Sequence, residues 1–183
     1  MSAAAVQKNN TSDTVLRAVI IYDDFDAAIR ATALLERVAA RTDEVVKWDI
    51  KPWKFDVLKQ PSLAALTGAV AANADLVVLA LARAYPVPAE LLAWLKNWAQ
   101  QRRIQDAAVL ALPSGEPTSE DPWNELKTFA KGHGLIFLDK NNVEAGENAA
   151  TFGQRWQAQP TASESPRLFA GRLPLPSHWG INE

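Results

Sequence analysis

Runs of apolar residues alternate with stretches of helical periodicity along most of this chain. Two runs, 15–22 (VLRAVIIY) and 75–82 (DLVVLALA), are apolar on both faces, which is typical of strands inside a parallel sheet. Two further apolar runs occupy 107–113 and 134–139. The run 44–50 (EVVKWDI) instead alternates apolar and polar residues, which favours a strand at the edge of a sheet. The pattern predicts five strands.

Each of the first four strands is followed by a stretch that reads as a helix, and Pro61 and Pro88 open the second and third of these helices. The predicted buried stripes are Phe25, Ala28, Thr32, Leu35 and Ala39; Leu63, Leu66, Val70 and Ala74; Leu91, Trp94, Leu95 and Trp98; and Trp123, Leu126 and Phe129. The segment 51–60 (KPWKFDVLKQ) is predicted to be an irregular aromatic loop between the second strand and its helix.

A regular alternation of strands and helices predicts an α/β fold, a three-layer sandwich with a five-stranded parallel sheet. An edge-like second strand favours the flavodoxin-like order 2-1-3-4-5. The order 3-2-1-4-5 would bury that strand, and Lys47 and Asp49 argue against burial.

The two ends of the chain differ from this central domain, which spans 15–140. Residues 1–14 are small and polar, and we expect a disordered arm. Residues 141–183 contain several prolines together with large apolar side chains, which predicts an irregular C-terminal extension packed on the domain. We expect Phe152, Trp156 and part of 168–179 to pack near the fifth strand, whose apolar edge otherwise invites aggregation.

Composition narrows the classes of function. The chain of 183 residues is 48% apolar and 22% charged, which is ordinary for a globular protein. Its net charge of −2 shows no basic surplus for nucleic acid, and the absence of Cys excludes disulfides and thiol catalysis. No apolar run is long enough for a signal peptide or a membrane span. We therefore expect a cytoplasmic protein with no nucleic-acid or membrane partner, and the sequence leaves its oligomeric state open.

Ligands of such folds bind beyond the carboxyl ends of the strands, where the strand order reverses. Six side chains are predicted at that edge: Asp23, Asp24, Arg83, Tyr85, Ser114 and Lys140. Two adjacent carboxylates can hold Mg²⁺ through oxygen ligands. The alternative is that one carboxylate caps the following helix and the other is solvated. FMN is disfavoured, because the three carboxylates of DDFDA (23–27) would repel its phosphate.

The string IIYDDF (20–25) resembles the acidic pair of response-regulator receiver domains, and Ser114 and Lys140 follow strands where those domains keep a hydroxyl residue and a lysine. The resemblance covers roughly 15–140 and implies a receiver-like fold. Receivers also place a phospho-accepting Asp at the end of the third strand, where this chain has Leu81, Ala82 and Arg83. Because that carboxylate is missing, the resemblance does not imply that this domain is phosphorylated.

Three strings, IYDDF (21–25), WKFDVL (53–58) and the terminal HWGINE (178–183), together resemble a group of uncharacterised bacterial proteins of similar length. That resemblance implies no activity. Trp53, Phe55, His178 and Trp179 are candidate residues for docking a protein partner, because Trp is enriched at binding hot spots. The alternative is that WKFDVL forms a hydrophobic plug and that HWGINE packs as a structural lock.

These observations favour a non-catalytic regulatory or protein-interaction module with a receiver-like fold that is not phosphorylated. The alternative is an enzyme or binding protein that uses Asp23 and Asp24, with Mg²⁺ or a small ligand, at the point where the strand order reverses. The sequence names no ligand, partner or pathway.

Overall fold

The computed structural model describes residues 14–41, 46–81, 87–113 and 123–139. In chain order the elements are β1 (Thr14–Tyr22), α1 (Phe25–Ala39), β2 (Val46–Lys54), a 3₁₀ helix (Phe55–Lys59), α2 (Pro61–Ala71), β3 (Leu76–Leu81), α3 (Ala89–Gln101), β4 (Ala108–Pro113), α4 (Asn124–Gly132) and β5 (Ile136–Asp139). The predicted arm and the C-terminal extension lie outside the described residues, apart from Thr14, with which β1 begins.

The five strands form one parallel sheet in the order β2-β1-β3-β4-β5, which confirms the predicted α/β fold and strand order. Helix α1 packs on one face, while α2, α3 and α4 contribute to the core on the other. Right-handed crossovers require this division, because the chain moves one way across the sheet after β1 and the opposite way after β2.

Strand β2 is longer than its hydrophobic pattern suggests, and the predicted loop over 51–60 is wrong. Lys51–Lys54 continue the strand beside β1, with Pro52 in register with Ile20, and Phe55–Lys59 form the 3₁₀ helix. Proline is tolerated here because an edge strand has one side with no ladder partner. The long β2 therefore brings Trp53 into the sheet rather than into a loop.

Two of the predicted helix stripes also need correction. Leu66 on α2 is 51% exposed and Phe25 on α1 is 68% exposed, although both were expected in the core. Helix α2 instead buries its small residues, among them Gly68 and Ala71, against α3. The indole Nε1 of Trp98 on α3 donates a hydrogen bond of 2.8 Å to the Ala71 carbonyl. The two tryptophans on α3 pack against this small-residue surface, and Leu66 of α2 lies away from it.

Asp75, just before β3, joins strands at the amino edge of the sheet. Its carboxylate accepts a hydrogen bond of 2.7 Å from the Arg17 backbone N–H, and its own N–H donates to the Arg17 carbonyl. Its carbonyl accepts from the N–H of Ala108 on β4. The residue is only 8% exposed, and this burial raises the pKa of the Asp75 carboxyl, although the Arg17 N–H and guanidinium partly offset the effect.

A raised pKa means that the folded state favours the protonated Asp75, so its contribution to stability falls as pH rises above about 4. Asn at this position keeps an acceptor for the Arg17 N–H but carries no charge. As pH rises from 4 to 7, we expect the free energy of unfolding of Asp75→Asn to increase relative to that of the wild type. Asp75→Ala should lose about 1–3 kcal/mol, because it leaves the N–H unpaired. Urea unfolding at several pH values measures the stability of both variants. If the unfolding free energies of Asp75→Asn and the wild type changed in parallel with pH, the raised pKa of Asp75 would be contradicted.

Candidate functional site

The carboxyl edge of the sheet carries the acidic pair. Strand β1 ends at Tyr22 and α1 begins at Phe25, so Asp23 and Asp24 form the whole connection between them. Parallel pairing places the ends of β3 and β4 at the same edge. The four other residues predicted for this site, Arg83, Tyr85, Ser114 and Lys140, lie outside the described residues.

Asp24 occupies the N-cap position of α1 but does not use its carboxylate as a cap. Its backbone is extended, with φ −122° and ψ 139°, and its carbonyl accepts the Ala28 N–H at 3.2 Å. No side-chain cap hydrogen bond is formed, and the residue is exposed. Asp23 is half-buried. Asp24 is therefore the solvated member of the pair, and its side chain lies at the positive end of the helix without capping it.

The pair alone provides few ligands for a metal ion. Within the four described ranges, no group of three or more His, Asp or Glu side chains comes together in a way that could hold a metal. Two neighbouring carboxylates can still supply part of the oxygen shell of Mg²⁺, which commonly keeps several water molecules. Among the described residues, Asp23 and Asp24 are thus the carboxylates that a magnesium site at this connection would use.

Two large apolar side chains lie on α1 next to the acidic pair, and both are exposed to solvent. The hydrophobic pattern does not predict their exposure. Phe25 is 68% exposed and Ile29 is 52% exposed. They are four residues apart on α1, so their side chains are neighbours on one helix surface. The helical spacing of Phe25 to Ala28 and Thr32 predicts a core position for its side chain, and the structure contradicts this. The sequence feature that indicates an exposed apolar surface here is Ile29, a large apolar residue outside the predicted buried stripe.

The candidate docking residues Trp53 and Phe55 are half-buried and pack against the core cluster that contains Leu58. The ammonium of Lys59 lies 5.5 Å from the centre of the Phe55 ring. The same ammonium bonds to Asp56 at 2.8 Å, and this hydrogen bond lowers the pKa of the Asp56 carboxyl. This packing supports the hydrophobic-plug interpretation of WKFDVL. The other two docking candidates, His178 and Trp179, lie outside the described residues.

None of the helices in the described part of the chain is both long enough and apolar enough to span a bilayer. Comparison with known protein families finds no family model that matches the chain, and a search of curated proteins finds no significant match. Function is therefore inferred from the geometry of the carboxyl edge and of α1.

Proposed function

We propose that this protein is a non-catalytic regulatory or protein-interaction module with a receiver-like fold, acting in the cytoplasm. The observation that carries the proposal is the exposed pair Phe25 and Ile29 on α1. Single exposed apolar residues are ordinary, whereas two large ones side by side on a helix form a small apolar surface. Such a surface supports docking of a protein partner.

The charges around this surface restrict the chemistry of the partner. Asp23, Asp24 and Asp26 flank Phe25 in the sequence, and both Asp24 and Asp26 are exposed. We infer a partner segment that presents an apolar side chain next to Lys or Arg. Electrostatic complementarity of this kind mainly accelerates association, and salt screens it. Binding should therefore weaken as ionic strength rises.

Site-specific cross-linking in cells of the native host tests this surface. A photoreactive phenylalanine analogue replaces Phe25 in one variant and Leu66 in a matched control, since Leu66 is also exposed but lies on α2. We expect a cross-linked protein from position 25 and none from position 66. The captured protein, once purified, should bind Phe25→Ser at least about tenfold more weakly than wild type, and Leu66→Ser within about twofold.

Each alternative outcome counts against the proposal. Equal cross-linking at both positions would mean that the capture is non-specific, and unchanged affinity in Phe25→Ser would remove the surface from the interaction. A cross-link between two copies of this chain would assign Phe25 and Ile29 to self-association instead of partner binding.

The module should not accept phosphate from acetyl phosphate, because β3 ends at Leu79, Ala80 and Leu81 without a carboxylate. We expect no mass increase of one phosphoryl group after incubation with acetyl phosphate and Mg²⁺. A receiver domain that has its acceptor Asp serves as the positive control. A stable acyl phosphate on this chain, located by peptide mass spectrometry, would contradict the prediction.

The second candidate, a protein that binds Mg²⁺ or a small ligand through the acidic pair, is favoured by the exposed Asp24 carboxylate that makes no cap. Titration with MgCl₂ while recording backbone amide shifts distinguishes it from the module. Saturable shifts at Asp23 and Asp24 that disappear in Asp24→Asn, but persist in Asp26→Asn, would support this candidate.

A further inference from the structure

The outer surface of α1 extends the exposed apolar pair into a stripe. Phe25, Ile29 and Ala33 follow one another at intervals of four residues, and all three are exposed. The stripe measures about 12 Å along the helix, or roughly two turns. Ala31, which is fully buried, lies on the opposite side of α1. The stripe is therefore a convex ridge, and the partner must bring a groove to it.

A second helix is the kind of segment that fits this ridge. A row of side chains four residues apart on one helix packs into the groove between such rows on another helix. An extended segment would leave its own backbone groups without partners in the contact, because the backbone groups of α1 between its end turns are bonded within the helix. A helical segment bonds its backbone internally and needs only apolar side chains at intervals of three and four residues.

The charges at the two ends of α1 have opposite signs. At its start, the side chains of Asp24 and Asp26 are exposed. At and just after its end, Arg37 and Arg41 are exposed together with Glu36, which leaves one net positive charge. Asp26 and Arg37 are eleven residues apart, so they lie on the same side of the helix, about 16 Å from each other along its axis. This separation exceeds the Debye length of about 8 Å at physiological salt, so each end acts on a partner separately.

These charges favour one direction for the partner helix. Helices commonly carry acidic residues in their first turn and basic residues in their last turn, because the helix dipole stabilises both. An antiparallel partner of this kind places its basic last turn beside Asp24 and Asp26, and its acidic first turn beside Arg37 and Arg41. A parallel partner would instead place its acidic first turn beside the two carboxylates. The antiparallel direction therefore avoids like-charge repulsion at the start of α1.

We propose that the partner segment on this surface is an amphipathic helix that lies antiparallel to α1 and carries several Lys or Arg residues in its last turn. This inference rests on the proposed function, because it identifies the segment that docks on Phe25 and Ile29. A second copy of α1 has the same polarity but fits less well. Its end, with one net positive charge, would face the two exposed carboxylates of Asp24 and Asp26. A partner with a more basic last turn neutralises both.

Nuclear magnetic resonance of the ¹⁵N-labelled full chain tests the inference with a synthetic helical peptide. The peptide carries leucines at intervals of three and four residues, Glu in its first turn, Lys and Arg in its last turn, and a nitroxide label at its C-terminus. We expect saturable amide shifts at Ile29 and Ala33. Line broadening by the nitroxide should be stronger at Asp26 than at Ala40, because these residues lie at opposite ends of α1. Moving the label to the N-terminus of the peptide should reverse this order.

Two matched comparisons separate helical docking from general charge attraction. A peptide with Pro at its centre keeps the charges but breaks the helix, and should bind at least about tenfold more weakly. Asp26→Lys should weaken binding of the intact peptide at least about threefold at low salt. Glu90→Lys makes the same charge change at an exposed position on α3, on the other face of the sheet, and should weaken binding by less than about 1.5-fold.

Several results would overturn the antiparallel helix. These are the absence of saturable shifts at about 1 mM peptide, equal binding of the Pro peptide, and stronger broadening at Ala40 with the label at the C-terminus. Equal weakening by Glu90→Lys would assign the attraction to the net charge of the protein. A dimer of the chain in sedimentation that Phe25→Ser dissociates would replace the partner helix by a second copy. Thermal melting of Asp26→Lys and Glu90→Lys confirms that both variants are folded.

The cross-linked cellular protein distinguishes failure of this inference from failure of the proposed function. If that protein needs Phe25 for binding but the peptide does not bind, the docking surface stands and only the helix is wrong. If Phe25→Ser leaves binding of that protein unchanged, the proposed function and this inference both fail.

Discussion

Removal of residues 150–183 is expected to lower the melting temperature by roughly 6–24 °C or to make the chain insoluble. The reason lies in the sheet face that α1 covers. Helix α1 packs chiefly on β1, β2 and β3. Leu110 on β4 and Leu138 on β5 lie on the same face, beyond the three strands on which α1 chiefly packs. They are nevertheless buried, at 1% and 5% exposed. We therefore expect the extension to cover this part of the sheet.

The size of the effect follows from two large side chains in the extension, Phe152 and Trp156. Burying each is worth about 1.5–3 kcal/mol, and a change of 1 kcal/mol shifts the melting temperature of a chain of this size by about 2–4 °C. Phe152→Ser combined with Trp156→Ser in the full chain should reproduce most of the loss.

Deletion of residues 1–13, which removes the predicted arm except for Thr14, is the matched control and should leave the melting temperature almost unchanged. Calorimetry and analytical ultracentrifugation measure stability and association together. If the chain without residues 150–183 stayed monomeric and melted like wild type, the extension would not cover the sheet. The terminal HWGINE (178–183) would then be the better candidate for a recognition peptide.

We expect Trp98→Ala to lower the free energy of unfolding by about 3–5 kcal/mol. Trp98 is fully buried, and its ring stacks on Trp94 with centroids 6.4 Å apart and an interplanar angle of 7°. Trp98→Phe keeps most of the volume and loses the indole donor. The Ala71 carbonyl also accepts the Ala74 N–H, so the donor's loss should cost only about 0.5–1.5 kcal/mol.

Urea unfolding of the two variants separates the cavity from the hydrogen bond, provided that the slope of free energy against urea is the same in both. Leu66→Ala is the matched control on the partner helix, and its exposure predicts a change within about 0.5 kcal/mol. Equal losses for Trp98→Ala and Trp98→Phe would show that the hydrogen bond, not the ring volume, stabilises the packing of α2 against α3.

The sheet was predictable because buried parallel strands have a simple signature. The strands β1 and β3 are apolar on both faces, and Lys47 and Asp49 placed β2 at the edge. The length of β2 was not predictable by the same rule. Pro52 is a breaker in most contexts and is tolerated only because the strand has a single neighbour.

Helix periodicity predicted α3 correctly but wrongly placed Leu66 of α2 in the core, for a reason that lies in the partner helix. Helix α3 has one strongly apolar stripe, and Leu91, Trp94 and Trp98 are all buried. Helix α2 is apolar on most sides, so spacing alone could not identify the face that packs. The bulk of two tryptophans selects the small face, and this selection depends on a contact distant in sequence.

For the candidate site, parallel topology was enough to place Asp23 and Asp24 at the carboxyl edge. It could not indicate that Asp24 leaves its carboxylate out of the helix cap, because that depends on a side-chain rotamer. The exposure of Phe25 was equally hidden. Its position in the first turn of α1 satisfies the core spacing, but the side chain is left in solvent.

The strand order has a consequence for how the chain leaves the ribosome. Strand β1 is synthesised first, yet its two neighbours in the sheet, β2 and β3, are both synthesised later. Ile20 and Ile21, which are fully buried in the finished protein, therefore lack their β3 partners Val78 and Leu79 until that strand has emerged. An apolar strand that waits unpaired is prone to aggregation and is a natural substrate for chaperones. Of the five described strands, only β1 has both of its sheet neighbours synthesised after it, so we expect it to be the strand that waits longest for its pairing during translation.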